Sequence, residues 1–135
     1  MTLIFNEIHI LNGLGTTAIV SAADRLITIN GKRDSLRKKI LPVPYFRATV
    51  SYFGLAAYPH PTRSNRWIYF SDWLPNVINQ LHGSADLSAF SHSFRAVLNQ
   101  TIPPALLAQG PSGFHICGYN NQNLPELWYI SNIQT

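Results

Sequence analysis

The chain has 135 residues and a formal net charge of +4, and charged residues make up only 12% of it, against roughly 25% in a typical soluble domain. Five of its ten basic residues fall between Lys32 and Lys39, so the excess charge is local and no nucleic-acid partner is predicted. Cys117 is the only cysteine, which excludes an intrachain disulfide. The length fits one domain with one core, over residues 1–135.

The N-terminus and the hydropathy of the chain predict a cytoplasmic protein with no membrane segment. Residues 1–7 lack the cationic start and the long apolar run of a signal peptide. Uninterrupted apolar stretches stay short of the roughly 18 residues that indicate a membrane helix. A single cysteine also fits a reducing compartment.

A β-hairpin is predicted at the start of the chain. Apolar and polar residues alternate loosely from Thr2 to Leu11, and Asn12-Gly13-Leu14-Gly15 then supplies residues that tolerate the positive φ angles of a tight turn. The second strand, residues 17–23, consists of small and β-branched side chains that can lie between two packed layers. We expect this second strand to be central in its sheet.

Further strands are predicted from Arg25 to Ile29 and from Ala48 to Ala56, where apolar and β-branched residues dominate. Between them, Asn30-Gly31 predicts a turn into the basic run. Residues 39–43 are expected to be extended because proline is excluded from helix interiors. Two further prolines predict a loop over residues 58–61.

Two amphipathic helices are predicted in the middle of the chain. Apolar residues recur at three- and four-residue spacing from Trp67 to Leu81, and Pro75 is expected to kink or split this helix. A second helix is expected to begin near Ser84 or Asp86 and to end before Pro103.

A last pair of strands is predicted at Gly113–Tyr119 and Glu126–Ser131, around the polar turn Asn120–Asn123. The order of elements is then hairpin, strands, two helices and a second hairpin. This order predicts an α+β fold with antiparallel sheets and a helix pair.

Four segments resemble proteasome-type N-terminal-nucleophile (Ntn) hydrolases. Ala18-Ile19-Val20-Ser21-Ala22-Ala23-Asp24-Arg25 resembles the strand that delivers the buried aspartate of that family, and Lys38-Lys39-Ile40 resembles the segment that delivers its lysine. Residues 48–57 are similar to the small-residue strand that follows, and residues 114–130 to a later hairpin. The resemblance, to proteasome β-type subunits in particular, implies an αββα sandwich of which residues 1–135 lack the last third.

The resemblance also implies a chemistry. In this family the nucleophile is the side-chain hydroxyl of an N-terminal Thr or Ser, or the thiol of an N-terminal Cys. The free α-amine of the same residue is the base. Carried over to this sequence, the nucleophile is Thr2 after removal of Met1, Lys39 tunes its amine, and Asp24 orients Lys39. The implied activity is that of a threonine peptidase or amidohydrolase, acting on a peptide or amide substrate without cofactor or metal, usually in a homo-oligomer or ring.

Several assignments have rivals in the sequence. Lys38 and Lys39 point to opposite sides of an extended strand, so only one of them can face the site. Asp24 could instead cap a turn. Gly15-Thr16-Thr17 resembles a processing site of the family, but too few residues separate Thr16 from Asp24 for one strand to run out and another to return. We therefore expect Thr16 and Thr17 to be turn and strand residues.

A catalytically inactive subunit or fragment with a role in assembly is the competing hypothesis. The Ser-Gly motif and the further Asp that active family members use would lie beyond Thr135. The five histidines show no metal-ligand spacing, so no metal site is predicted. Cys117 lies in a predicted apolar strand and is expected to be a core residue.

Overall fold

The computed structural model describes residues 3–11 and 16–132, which form a mixed α+β fold with antiparallel sheets. The strands are β1 (Ile4–Leu11), β2 (Thr16–Ala23), β3 (Leu26–Ile29), β4 (Lys32–Leu36), β5 (Ile40–Val43), β6 (Ala48–Phe53), β7 (Ala57–Pro59), β8 (Trp67–Tyr69), β9 (Gly113–Tyr119) and β10 (Pro125–Ser131). The helices are α1 (Phe70–Gln80), α2 (Leu87–Thr101) and the short α3 (Pro104–Leu107). A 3₁₀ turn, Pro44–Phe46, joins β5 to β6. The predicted α+β class with antiparallel sheets is confirmed.

A four-stranded sheet in the order β10-β9-β6-β5 forms the centre of the fold. Successive side chains of a strand point to opposite faces, and Val50 and Ile116, which pair across β6 and β9, both lie on one face with no exposed surface. The pair Ser51 and His115 lies on the other face. The central strands are therefore covered on both sides.

Helices α1 and α2 cover the first face of this sheet, which we call the helix face. Asp86 begins α2 by accepting a hydrogen bond from the amide of Ala89 at 2.7 Å. Phe114 of β9 contacts both helices, because its ring centroid lies 5.6 Å from that of Phe70 and 5.2 Å from that of Phe94. The buried helix residues are Phe70, Leu74, Val77 and Ile78 of α1 and Leu87, Phe90, Ser91, Phe94 and Leu98 of α2.

The hairpin of β1 and β2 packs against the opposite face of the sheet, which we call the hairpin face. The two strands pair from Ile4 opposite Ala23 to Leu11 opposite Thr16, and β1 contacts β6 while β2 contacts β5. Among the described residues β2 pairs with β1 alone, so it is an edge strand here and not the expected central one. The turn predicted at residues 12–15 lies outside the described residues.

The basic run forms a strand that the sequence did not indicate. Residues Lys32–Leu36 pair with β3 as β4. Just beyond, the Arg37 guanidinium lies 3.5 Å from the ring centroid of Tyr69 and bonds the Asp72 carboxylate at 3.0 Å. Part of the basic run is thus engaged within the molecule, which agrees with a local origin of the net charge.

The first helix begins later than its apolar spacing predicts and runs through its proline. Trp67–Tyr69 forms β8, paired with Ala57–Pro59, and α1 starts only at Phe70. Pro75 lies inside the continuous helix α1. A proline inside a helix costs about 3 kcal/mol, and we attribute its tolerance to the four buried apolar side chains of α1.

Gly54 allows the chain to leave β6 close to the segment before β9. Its φ angle is +78°, and a Cβ atom at this position would lie 2.3 Å from the carbonyl oxygen of Pro111. Only glycine meets both requirements without strain.

Within the described ranges, no helix combines the length and the apolar character that a membrane span requires.

Candidate functional site

A lysine and an aspartate meet where the open end of the hairpin lies against the central sheet. Asp24 follows β2 and Lys39 precedes β5. The Lys39 Nζ atom lies 3.0 Å from each carboxylate oxygen of Asp24. The Lys39 side chain is 1% exposed and that of Asp24 32%, so the cation is buried and the anion reaches the surface.

The Asp24 carboxylate also holds the backbone of the N-terminal strand. It accepts hydrogen bonds from the amides of Leu3 at 2.9 Å and of Leu26 at 3.2 Å, and the Asp24 amide donates to the Leu3 carbonyl at 3.1 Å. Burial alone would raise the pKa of Asp24, but the hydrogen bonds from Lys39, Leu3 and Leu26 and the charge of Lys39 together lower it. The carboxylate is therefore ionised at neutral pH.

The structure brings Lys39, and not its neighbour Lys38, to Asp24. Lys38 is exposed. Tyr52 of β6 fixes this segment, because its hydroxyl donates to the Lys38 carbonyl at 2.7 Å and its amide donates to the Lys39 carbonyl at 3.3 Å. Burial raises the pKa of Tyr52 to about 12, so the hydroxyl remains a donor.

Of the three predicted site residues, Thr2 lies outside the described residues. The nearest described residue in sequence is Leu3, which is hydrogen-bonded to Asp24. Thr16 and Thr17 belong to β2, as expected for strand residues, and Thr17 bonds the Tyr119 hydroxyl with its side chain at 3.3 Å and its carbonyl at 3.1 Å. That contact lies at the opposite end of β2 from Asp24.

Sequence reasoning missed a row of polar contacts between the hairpin and the central sheet. Asn6 of β1 contacts Ser21 of β2 at 2.7 Å and His115 of β9 at 2.8 Å, and Ser21 contacts Thr49 of β6 at 3.3 Å. Burial lowers the pKa of His115. The sequence feature that could have indicated these contacts is that Asn6 and Ser21 are polar although they occupy inward positions of the hairpin.

A groove of about 490 Å³ lies beside these contacts, between β2 and the β5 side of the sheet. Cys117 is among its lining residues but is only 2% exposed, and burial raises the pKa of its thiol to about 11. Cys117 is thus a core residue, as expected, and a poor nucleophile.

In the described part of the chain, no three His, Cys, Asp or Glu side chains are grouped as metal ligands.

The class that the fold defines is a small mixed α+β protein with antiparallel sheets. Comparisons of the chain with models of protein families, with curated proteins and with solved structures find no match. What distinguishes its candidate site is the buried cation of Lys39, held by both oxygens of Asp24 at the open end of a hairpin.

Proposed function

We propose that the protein is an amide or peptide hydrolase of the Ntn class, with Thr2 as nucleophile and base, Lys39 as the tuning cation and Asp24 as the residue that orients Lys39. The observation that carries this proposal is the hydrogen bond from the Leu3 amide to the same carboxylate that binds Lys39. It ties the residue after Thr2 directly to the ion pair.

The chemistry follows from the N-terminal position of Thr2. After removal of Met1, an α-amine with an ordinary pKa of about 7.7–8.0 can accept the proton of its own hydroxyl near neutral pH. The oxygen then attacks the substrate carbonyl, the C–N bond breaks with return of the proton to the leaving amine, and water hydrolyses the resulting ester. A nearby ammonium such as that of Lys39 favours the neutral amine by charge repulsion.

The unequal burial of Lys39 and Asp24 supports a functional role for the pair. Removing an ammonium and a carboxylate from water costs several kcal/mol per ion, so a buried ion pair is weak evidence for a stabilising role. Here the Lys39 side chain is 1% exposed while Asp24 remains accessible. A carboxyl group with a shifted pKa, such as that of Asp24, paired with a buried charge next to accessible surface is more typical of functional sites.

A second candidate function is that of an inactive subunit with a role in assembly, and the exposed apolar residues favour it. Leu3, Phe5 and Val20 on the hairpin are 68%, 48% and 45% exposed, and Leu127 and Tyr129 on β10 are 54% and 53% exposed. Such surfaces mark interaction sites. Under either function we propose a homo-oligomer or ring in the cytoplasm, built on an αββα sandwich.

A hydrolysis assay tests the activity. Fluorogenic peptide amides with different side chains before the scissile bond would be incubated with the wild type, Thr2→Ala, Thr2→Ser and Lys39→Ala, with intact mass confirming the loss of Met1. We expect Thr2→Ala to reduce the rate at least about 10³-fold and Lys39→Ala about 10²-fold, with partial retention in Thr2→Ser.

Lys38→Ala is the matched control, because Lys38 is exposed and adjacent to Lys39. It should retain the wild-type rate. Equal rates for the wild type and Thr2→Ala, or a protein that keeps Met1 when isolated from its native host, would exclude the proposed chemistry and leave the assembly role.

A further inference from the structure

Polar side-chain contacts connect the hairpin to the central sheet. On the inward side of β1, Ile8 and Ile10 remain 38% and 56% exposed, so apolar burial holds this strand weakly. Within the described ranges, the side chain of Asn6 joins β1 to the central sheet through a hydrogen bond with His115, at 2.8 Å. Apart from its pairing with β2, the middle of β1 is therefore attached to the central sheet through this contact.

The contact belongs to a chain of hydrogen bonds with a defined direction. The Ser21 hydroxyl donates to the Asn6 Oδ1 atom at 2.7 Å, which leaves the Ser21 oxygen free to accept from the Thr49 hydroxyl at 3.3 Å. The Asn6 Nδ2 atom can only donate, so the Nδ1 atom of His115 accepts, and the ring is neutral with its proton on Nε2. Four strands, β6, β2, β1 and β9, are joined in this way.

We propose that Asn6 is a positioning residue, which through Ser21 and a neutral His115 holds β1, and with it Leu3, in register with the Asp24 and Lys39 pair. Asn6 lies three residues from Leu3, about 10 Å along the strand. The consequence for catalysis rests on the proposed function, whereas the fastening of β1 does not.

The surroundings of His115 oppose its protonation. The side chains packed against it or paired with it are Asn6 of β1, Ser51 and Phe53 of β6 and Tyr129 of β10, and none of them is a carboxylate. Of the nearby acidic groups, Glu7 points to the outward face of β1 and Asp24 is bound to Lys39. An imidazolium here would be partly desolvated and would lack a counter-charge.

The pH dependence of β1 follows from this environment. Burial lowers the pKa of His115, so the neutral ring is favoured in the folded protein. The fastening is complete above the ordinary histidine pKa of about 6.5 and weakens as the pH falls through that value and the lower folded one.

Amide hydrogen exchange of the intact chain tests the proposal without a substrate. At pH 7.5 we expect Asn6→Ala to accelerate exchange of the β1 amides about 10-fold, while the α2 amides keep their protection. In the wild type, β1 protection corrected for intrinsic exchange should fall between about pH 7 and 5. In His115→Asn, whose side-chain oxygen lies near the Nδ1 position and does not titrate, protection should not change over this range.

His9→Asn is the matched control, because His9 lies on the same strand but is exposed and faces outward. It should keep the pH dependence of the wild type. Unchanged β1 exchange in Asn6→Ala would overturn the proposal, as would identical pH profiles of the wild type and His115→Asn. Identical pH profiles would mean that the contact does not require a neutral His115, for example because the Asn6 amide rotates to accept from the protonated ring.

The outcome is independent of the hydrolysis assay. If Thr2→Ala is as active as the wild type but β1 protection follows the predicted pattern, the proposed function fails and the positioning role of Asn6 stands. If hydrolysis depends on Thr2 but Asn6→Ala leaves exchange and kcat unchanged, the positioning role alone fails.

Discussion

The two faces of the central sheet are built from different chemistry. On the helix face, Val50, Phe114 and Ile116 are at most 6% exposed and pack against aromatic and aliphatic side chains of α1 and α2. On the hairpin face, Thr49 and His115 of the same strands contact Ser21 and Asn6 through hydrogen bonds. Apolar burial is large but non-directional, whereas hydrogen bonds are weaker and fix geometry. The helix face therefore stabilises the fold, and the hairpin face aligns the candidate site.

The largest expected effect is a loss of stability when a side chain of the helix face is truncated, compared with a truncation on the hairpin face. Phe114→Ala removes a ring that touches Phe70 and Phe94, and we expect it to reduce the free energy of unfolding by about 4 kcal/mol. Tyr119→Phe removes only the hydroxyl that bonds Thr17, and about 1 kcal/mol should be lost. Urea titration followed by circular dichroism measures both values. Equal losses would contradict the assignment of stability to the helix face.

The next effect concerns the charges at the edge of the hairpin face. Asp24→Asn leaves the buried ammonium of Lys39 without its carboxylate, and we expect a loss of about 3 kcal/mol in the free energy of unfolding. Lys39→Met leaves a carboxylate that is 32% exposed and keeps two backbone donors, so the loss should be only about 1 kcal/mol.

The exposed Lys38 again supplies the control, and Lys38→Met should leave the unfolding curve unchanged. If Lys39→Met lowered the free energy of unfolding more than Asp24→Asn, the carboxylate, and not the ammonium, would be the group that is destabilised more by losing its partner. The asymmetric burial of the two groups would then have no energetic consequence.

What could be predicted from the sequence follows the same division. Apolar periodicity indicated the helices and the antiparallel strands, since burial leaves a regular pattern along the chain. Asp24 and Lys39 could be selected because their segments resemble those that carry the aspartate and the lysine of Ntn hydrolases, and the two side chains do meet in the structure. The hydrogen bond between Asn6 and His115 could not be predicted, because the two residues are 109 positions apart. Nothing in the sequence around either residue indicates that the other is its partner.

Two local errors have identifiable physical causes. Trp67–Tyr69 continues the apolar spacing of α1, but it pairs with Ala57–Pro59, a tertiary contact that overrides local preference. The strand Lys32–Leu36 is rich in charge and exists because it pairs with β3 across the turn at Asn30-Gly31. Neither pairing partner is visible in the segment itself.

The smallest expected effect tests a polar group on the hairpin face that takes no part in the alignment. The Ser51 hydroxyl is buried and has no hydrogen-bond partner among the described residues, which costs about 1–3 kcal/mol in desolvation. We therefore expect Ser51→Ala to raise the free energy of unfolding by about 1 kcal/mol. On the helix side, Ser91 is also buried but donates to the Leu87 carbonyl at 2.8 Å, so Ser91→Ala should give no gain. Thermal unfolding of the two variants side by side measures the difference, and a loss of stability in Ser51→Ala would show that the hydroxyl contributes to the hairpin face after all.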